Sequence, residues 1–177
     1  MLIACFSVHT LVTKLGQYKD TAVTGIFEAS ILTSYSILGD PESDRKWGIV
    51  TTGKFWEDHL SNGANRFIGQ DEGAANTKFA GVFSTGLNAG DFHTVPESEV
   101  RAKLKAATKK LLDTGSVSCV VMGCGGMAGL EDIIRETAVE VYGEEEAASL
   151  YIIDGVKAGV LQLAQTVQSR RAFRSGI

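Results

Sequence analysis

Two cysteines stand where a thiol is suited to acid–base chemistry. Cys124 lies within Gly123-Cys124-Gly125-Gly126 and follows an apolar run, Val117 to Met122, that indicates a buried strand. We expect a helix to begin directly after these glycines, so that backbone N–H groups and the helix dipole favour the thiolate. Glycines also let a ligand approach the backbone closely. Cys5 ends another apolar run, Leu2 to Cys5.

A pair of thiols on opposite sides of a cleft is suited to inverting a carbon centre. One thiolate removes a proton from one face and the other thiol delivers a proton to the opposite face, and the roles exchange with the handedness of the substrate. No metal or organic cofactor is needed where adjacent carbonyl groups acidify the C–H bond. The alternative is that Cys5 and Cys124 are small buried residues. We expect that structural role for Cys119, which lies inside the strand.

The surrounding sequence alternates between predicted strands and predicted helices, which is typical of an α/β protein with a parallel sheet covered by helices. We predict strands at residues 2–5, 22–26, 47–51, 79–83, 117–122 and 150–153. We predict helices at residues 10–18, 27–38, 54–67, 96–113, 127–141 and 156–171. Polar loops are expected at residues 71–78, 84–96 and 143–146.

Two of these helices have patterns that predict their buried side chains. The helix at 96–113 has an apolar stripe, with lysines beside it that we interpret as a solvated face. In the helix at 54–67 we expect Phe55, Leu60 and Phe67 to contact the core. The members of the stripe are Val100, Leu104, Ala107 and Leu111, and the lysines are Lys103, Lys105, Lys109 and Lys110.

A polar run at residues 42–46 indicates a boundary between two α/β lobes. We predict a first lobe of residues 1–45 plus 154–177 and a second lobe of residues 46–153. Ligands of such sheets bind outside the carboxyl ends of the strands. Five segments follow predicted strands and occupy that position: Cys5, Thr51-Thr52, Ser84 to Gly86, Cys124 and Asp154-Gly155.

The composition excludes several classes of protein. Hydrophobic residues make up 44% and charged residues 21%, as in ordinary globular proteins. A net charge of -4 without a basic stripe argues against a nucleic-acid partner. No apolar run approaches the roughly 18 residues of a membrane span, and the first residues lack the basic region of a signal peptide. Three cysteines do not suggest a disulfide framework, so we expect a cytoplasmic location.

Several motifs, in their order along the chain, resemble the aspartate/glutamate racemase superfamily, and in particular its hydantoin/allantoin racemase branch. The most specific are the early Ala-Cys and the Gly-Cys-x-Gly-Met-Ala core. The resemblance implies two flavodoxin-like lobes with the active site in the cleft between them. It also implies cofactor-independent racemisation with Cys5 and Cys124 as the two acid/base thiols. The motifs are Ala4-Cys-Phe-Ser7, Gly25-Ile-Phe-Glu-Ala-Ser30, Gly48-Ile-Val-Thr-Thr-Gly53, Met122-Gly-Cys-Gly-Gly-Met-Ala128 and Ile153-Asp-Gly-Val156.

Further side chains and backbone groups are candidates for holding the substrate. The resemblance implies that Thr51, Thr52 and the backbone around Cys124, at Gly123 and Gly125, hold ring carbonyls or a carboxylate. Ser7 and Glu28, from the first two motifs, are further candidates, although Glu28 could instead serve the dipole at a helix N-terminus.

Other polar residues have simpler expected roles. Asp154 is expected to cap a helix, and His9 is interpreted as a surface residue near Cys5. No zinc site is expected, because His59 and His93 have no Cys or acidic partner at metal-ligand spacing.

The beginning of the sequence departs from the family pattern. Members usually start with a strand–helix segment that carries an Asn-Pro-Asn-like substrate loop, whereas here the strand before Cys5 starts at the first residue. We therefore expect an incomplete first lobe with an exposed sheet edge. Either the sequence is truncated, or another subunit covers that edge, which makes a homo-oligomer one of the expectations.

Three functional hypotheses follow. The first is a racemase of a small molecule, namely a 5-substituted hydantoin, allantoin or an amino-acid-like compound. The second is a related isomerase or decarboxylase of a small diacid, in which one cysteine acts as a nucleophile. The third is an inactive, truncated homologue that keeps the fold and binds ligands without turnover.

Overall fold

The computed structural model describes residues 1–71, 73 and 75–174, and over this part the chain forms six strands in two sheets. All strand pairs are parallel, which confirms the predicted α/β fold with parallel sheets flanked by helices. The smaller sheet pairs β1 (Leu2–Ile3) with β2 (Thr24–Gly25). The larger sheet has the order β4-β3-β5-β6, with β3 (Lys46–Thr51), β4 (Phe79–Ser84), β5 (Val117–Met122) and β6 (Tyr151–Asp154).

The helices lie between and after these strands and, apart from α6, close to their predicted positions. They are α1 (Thr10–Gly16), α2 (Ile26–Leu38), α3 (Phe55–Phe67), α4 (Glu97–Leu112), α5 (Glu131–Tyr142), α6 (Glu144–Ala148) and α7 (Gly155–Phe173). Short 3-10 turns form at Asp91–His93 and Gly125–Met127. None of the helices in the described residues is both long enough and apolar enough to cross a membrane.

Helices cover both faces of the larger sheet. On one face, Ile26 and Ile31 of α2 share a buried cluster with Ile49 and Val121. On the other face, the stripe of α4 is buried as predicted, and Leu104 packs with the strands and with α5. Three of the lysines beside that stripe form ion pairs at the surface, as expected of a solvated face: Lys103 with Glu99, Lys105 with Glu140, and Lys109 with Asp113.

The predicted division into two lobes stays a prediction, but the packing of α2 is relevant to it. Helix α2 belongs to the predicted first lobe, yet it packs against the sheet of residues 46–153 and against α7. The two predicted lobes therefore share one continuous core. Part of the prediction lies outside the described residues, namely 175–177 of the first lobe and residues 72 and 74 of the predicted loop 71–78.

The prediction for residues 143–146 and part of the prediction for α3 were wrong. Residues 143–146 were expected to be a loop, but Glu144–Ala148 forms α6, whose residue Ala147 is buried. In α3, Leu60 is buried as predicted, whereas Phe55 is 70% exposed and Phe67 42% exposed. At about 100° per residue, Phe55 lies roughly 140° around the helix from Leu60 and so points away from the core. Phe67 shares the side of Leu60 but lies in the last turn.

Candidate functional site

A cleft of about 510 Å³ lies at the carboxyl ends of β1, β3, β4 and β5, where ligands bind in parallel α/β sheets. It is lined by residues 4–6, 52–56, 88–89 and 123–126. Cys5 and Cys124 are both among these lining residues, although they come from distant parts of the chain. The cleft therefore brings together the two thiols that the sequence singled out.

The loop that carries Cys124 is tied tightly to the larger sheet. The backbone N–H of Gly123 donates to the Val50 carbonyl at 2.7 Å, and the Thr51 hydroxyl donates to the Gly123 carbonyl at 2.9 Å. A Cβ at position 123 would lie 2.7 Å from Cγ2 of Ile49 and 2.9 Å from the Val50 carbonyl oxygen. Glycine is therefore required there, because any side chain would push the loop off β3.

Cys124 itself is half-buried in an extended conformation, and the 3-10 turn Gly125–Met127 follows it. The Cys124 Sγ accepts a hydrogen bond from the Gly126 N–H at 3.4 Å. The expectation that a helix begins directly after the glycines was wrong, since α5 starts only at Glu131. Gly129 interrupts the chain with φ of 87°, a left-handed conformation that cannot continue a helix. A local backbone donor thus takes the place expected for a helix dipole.

Cys5 lies two residues beyond β1 and is exposed. Its Sγ is 3.4 Å from the Ser7 hydroxyl, and the Ser7 N–H donates to the Cys5 carbonyl at 3.0 Å. Between them, Phe6 is buried and packs edge-on against Phe27, with ring centroids 5.5 Å apart. This single aromatic side chain anchors the Cys5 loop to the core.

Cys119 differs from the other two cysteines in its surroundings. It lies inside β5 and is fully buried, and burial raises the pKa of its thiol to about 11. A thiol that stays protonated at neutral pH and has no access to solvent is a packing residue. The predicted structural role of Cys119 agrees with this position.

The residues predicted to bind substrate occupy two different positions. Thr52 and the glycines at 123 and 125 line the cleft, and the Thr52 carbonyl accepts from the Gly86 N–H at 3.0 Å. Thr51, Ser7 and Glu28 are not among the lining residues. Thr51 instead holds the Cys124 loop through its hydroxyl, and Ser7 contacts the Cys5 thiol. Their roles in substrate binding stay predictions.

Glu28 lies in the first turn of α2, where its charge complements the helix dipole. Burial raises the pKa of its carboxyl group, while backbone N–H groups and His9 oppose that rise. Its Oε2 atom is buried without a hydrogen-bond partner among the described residues. The position of Glu28 therefore fits the alternative considered from the sequence, in which its charge complements the dipole at the N-terminus of a helix.

The cleft is also lined by residues at the start of α3 that were not predicted as part of the site, namely Lys54, Phe55 and Trp56. These residues closely follow the strand end at Thr51-Thr52, and that position could have indicated that they belong to the site. Phe55 was interpreted as a core residue instead. Asn88 and Ala89 also line the cleft. They belong to the loop predicted at residues 84–96, of which Ser84 to Gly86 was placed at the ligand-binding edge while Asn88 and Ala89 were not.

The remaining polar candidates have structural contacts. The Asp154 carboxylate accepts from the Lys157 N–H at 2.8 Å and caps α7, as predicted. The His9 Nδ1 accepts from the Leu11 N–H at 3.2 Å and caps α1. In the part of the chain that the structure describes, no three His, Cys, Asp or Glu side chains are grouped to hold a metal ion.

A sequence model of the family described as Asp/Glu/Hydantoin racemase matches residues 1–163. The chain belongs to this family. The match covers all of the motifs on which the resemblance rested, and it confirms the superfamily that they indicated. The family assignment thus comes from most of the chain and not only from the two cysteine motifs.

Two solved allantoin racemases of this fold superpose on nearly the whole chain. The enzyme from Pseudomonas fluorescens aligns with a TM-score of 0.68 at 19% identity, over 94% of this chain and 61% of that one. The enzyme from Klebsiella pneumoniae aligns with a TM-score of 0.67 at 21% identity, over 94% of this chain and 58% of that one. At these identities the likeness establishes a shared fold.

Proteins from two yeasts are more similar to this chain in sequence. An uncharacterised Schizosaccharomyces pombe protein, C1F7.10, is 34% identical over 167 residues, which are 94% of this chain and 62% of that protein. Protein DCG1 of Saccharomyces cerevisiae is 28% identical over 144 residues, which are 77% of this chain and 55% of that protein. The chain therefore spans less than two thirds of the length of these relatives.

Proposed function

We propose that this family member is a cofactor-independent racemase of hydantoin-type substrates, either 5-substituted hydantoins or allantoin. The observation that carries the proposal is that the thiols of Cys5 and Cys124 line one cleft. A racemase needs one proton acceptor and one proton donor at the same carbon atom. The shared fold with allantoin racemases and the family assignment support the same reaction type.

In the proposed reaction, one cysteine thiolate takes the proton from C5 of the hydantoin ring. The electron pair moves into the adjacent carbonyl group and gives an enolate, whose oxygen carries the developing negative charge. The other thiol then delivers its proton to the opposite face of C5. The enzyme is left with its protonated and deprotonated cysteines exchanged, so the reaction runs equally in both directions and consumes nothing.

The backbone near Cys124 supports the charges that arise in this cycle. The Gly126 N–H donates to the Cys124 sulfur at 3.4 Å and fixes the position of the thiol beside the turn. In the turn at Gly125–Met127, the Gly126 N–H is engaged by the Cys124 sulfur and the Met127 N–H donates to the Cys124 carbonyl at 3.0 Å. The Gly125 N–H, next to the thiol in the lining of the cleft, is the donor that we assign to the enolate oxygen, and one donor of this kind lowers the barrier by about 3 kcal/mol.

A neutral substrate fits the cleft better than a diacid. Among the described residues that line it, Lys54 is the one charged side chain, and it is already paired with Glu57. Two substrate carboxylates would need positively charged or multiple hydrogen-bonding partners. The cleft offers mostly backbone and apolar groups, which suit the amide edges of a hydantoin ring. For this reason we place the diacid isomerase or decarboxylase second.

The proposal is tested by incubating a single enantiomer of 5-benzylhydantoin in D₂O with the protein. We expect deuterium to enter C5 and the optical rotation to decay, both well above a control without enzyme. Cys124→Ser should lower the rate of racemisation, measured by the decay of optical rotation, about 1000-fold, because inversion needs both thiols and a hydroxyl is a far weaker base than a thiolate at neutral pH. Folded wild-type protein that racemises 5-benzylhydantoin no faster than Cys124→Ser would refute the racemase.

The same preparation separates the alternatives. A covalent adduct at Cys5 or Cys124 after incubation with small diacids, detected by intact-protein mass spectrometry, would favour the isomerase or decarboxylase. Saturable binding of hydantoins without any exchange at C5 would favour a homologue that keeps the fold and has lost the reaction.

A further inference from the structure

The largest exposed apolar side chain of the cleft is Phe55, the first residue of α3. It is 70% exposed, while the neighbouring Trp56 is half-buried against the core. Single exposed apolar residues are common on protein surfaces and need no explanation by themselves. Phe55 is unusual in its place, because it stands at the edge of the same cleft that contains both thiols.

Aromatic neighbours hold the Phe55 ring in a defined orientation. The ring meets Trp56 edge-on, with centroids 5.3 Å apart, and stacks on His59 with centroids 5.5 Å apart. Trp56 also contacts His59 edge-on at 5.7 Å. Three rings in mutual contact lose less conformational freedom on ligand binding than a lone flexible side chain would.

The first turn of α3 is also tied to the sheet. The Glu57 carboxylate accepts from the Ser84 hydroxyl at 2.7 Å and from the Ser84 N–H at 3.1 Å, at the end of β4. Lys54 forms an ion pair with the same carboxylate. These contacts place Phe55 relative to the strand ends that carry the rest of the cleft.

We propose that Phe55, supported by Trp56, is a specificity-determining residue that receives the substituent on the carbon atom that loses its proton. This assignment rests on the proposed racemase function and deepens it. A substituent of a bound hydantoin lies on the carbon that both thiols must reach. It therefore projects from between Cys5 and Cys124 toward the walls of the cleft, one of which is formed by Phe55.

The chemistry of this wall distinguishes two kinds of substituent. A benzyl or alkyl group would cover the exposed Phe55 ring and remove apolar surface from water. The ureido group of allantoin carries several N–H donors and a carbonyl, and a wall of aromatic carbon leaves them unpaired. One N–H of the Asn88 side-chain amide, which also lines the cleft, already donates to Asp91 at 3.1 Å. The cleft should therefore prefer apolar substituents at C5.

The test compares kcat/KM for deuterium exchange at C5 of 5-benzylhydantoin and of allantoin. The wild-type protein should favour 5-benzylhydantoin. Phe55→Ala should reduce the ratio of the two kcat/KM values about tenfold, which corresponds to about 1.4 kcal/mol. Phe55→Leu should restore most of the ratio, since leucine offers a similar apolar surface. Phe67→Ala is the matched control, because it removes an exposed phenylalanine from the other end of α3, away from the cleft, and should leave the ratio unchanged.

Binding measured by calorimetry keeps this assignment separate from the racemase proposal. If both substrates exchange but Phe55→Ala leaves the ratio unchanged, the assignment is wrong and the racemase stands. If neither exchanges, yet 5-benzylhydantoin binds more tightly than allantoin and Phe55→Ala removes that difference, the assignment stands and the racemase fails. A wild-type protein that neither binds nor exchanges either compound overturns both.

Discussion

The two thiols of the cleft are held by very different structures. Cys124 follows a six-residue strand at the centre of a four-stranded sheet, and its loop is bonded to β3 through Gly123 on both its N–H and its carbonyl. Cys5 follows a two-residue strand in a two-stranded sheet and depends on the buried ring of Phe6. Cys124 is half-buried, whereas Cys5 is exposed.

The two thiols therefore lie on parts of the molecule that differ in rigidity. The Cys124 side is rigid, and the Cys5 side is more adaptable. The Cys124 side supplies the backbone donors and a position that tolerates no side chain at Gly123. The Cys5 side supplies mainly a thiol. Short strands with few buried contacts open more readily than long central ones. The Cys124 side should therefore determine the geometry of the site, while the proposed reaction needs both thiols equally.

The largest effect should come from removing either thiol. Cys5→Ser and Cys124→Ser should each slow racemisation of 5-benzylhydantoin about 1000-fold, because inversion needs both a base and an acid. Chiral chromatography of the reaction mixture measures both rates. If Cys5→Ser kept a tenth or more of the wild-type rate, the two thiols would not be equally required. Cys124 would then be the centre of a different reaction.

Alkylation should sharpen the contrast among the three cysteines. At pH 8, Cys5 should react first with iodoacetamide, because it is exposed. The raised pKa of Cys119, about 11 against an ordinary value of 9.0, leaves it with about 100-fold less thiolate than an ordinary thiol, and its burial slows reaction further. Peptide mass spectrometry over time gives the order of labelling. Early labelling of Cys119 in folded protein would contradict its placement inside β5.

The next effect is on the stability of the protein and comes from the loop that carries Cys124. Gly123→Ala should destabilise the protein by about 2–3 kcal/mol in urea denaturation, because the added Cβ meets the backbone of β3. Gly125→Ala is the matched control, since a Cβ at position 125 meets no atom within 4 Å, and its stability should stay within about 0.5 kcal/mol of wild type. Equal stabilities of the two variants would show that the Cys124 loop is not held against β3.

A smaller effect is expected from the hydroxyl that supports this loop. Thr51→Val should cost about 1–2 kcal/mol, because it leaves the buried Gly123 carbonyl without that donor. Thr108→Val provides the comparison, since the Thr108 hydroxyl is buried without a partner among the described residues. That variant should be neutral or slightly stabilising in the same denaturation experiment. Thr51→Val with no greater cost than Thr108→Val would contradict the supporting role of Thr51.

The fold and the proximity of the two thiols could be predicted from the sequence, because both are indicated by local patterns. Apolar runs that end in glycine or cysteine mark the carboxyl ends of parallel strands, and strand ends meet at one edge of a sheet. Cys5, Thr52 and Cys124 were found in this way, and all three line the cleft. The boundaries of the longer strands were within one or two residues of those in the structure.

The features that the sequence did not predict depend on particular backbone angles or on the orientation of a side chain around a helix. The apolar spacing after Cys124 continues into α5, but the positive φ of Gly129 separates the turn from the helix. Phe55 belongs to a helix with a buried side, yet its angular position directs it to the cleft. The support that Thr51 gives to Gly123 depends on the pairing of β3 with β5, which no local pattern specifies.

In the proposed reaction, Cys5 and Cys124 act on opposite faces of one carbon atom. NMR can test this by following deuterium exchange at C5 of each enantiomer of 5-benzylhydantoin, separately with Cys5→Ser and with Cys124→Ser. We expect each variant to exchange one enantiomer with retention of configuration, the two variants to select opposite enantiomers, and neither variant to racemise the substrate. Exchange of the same enantiomer by both variants would show instead that the two thiols serve the same face.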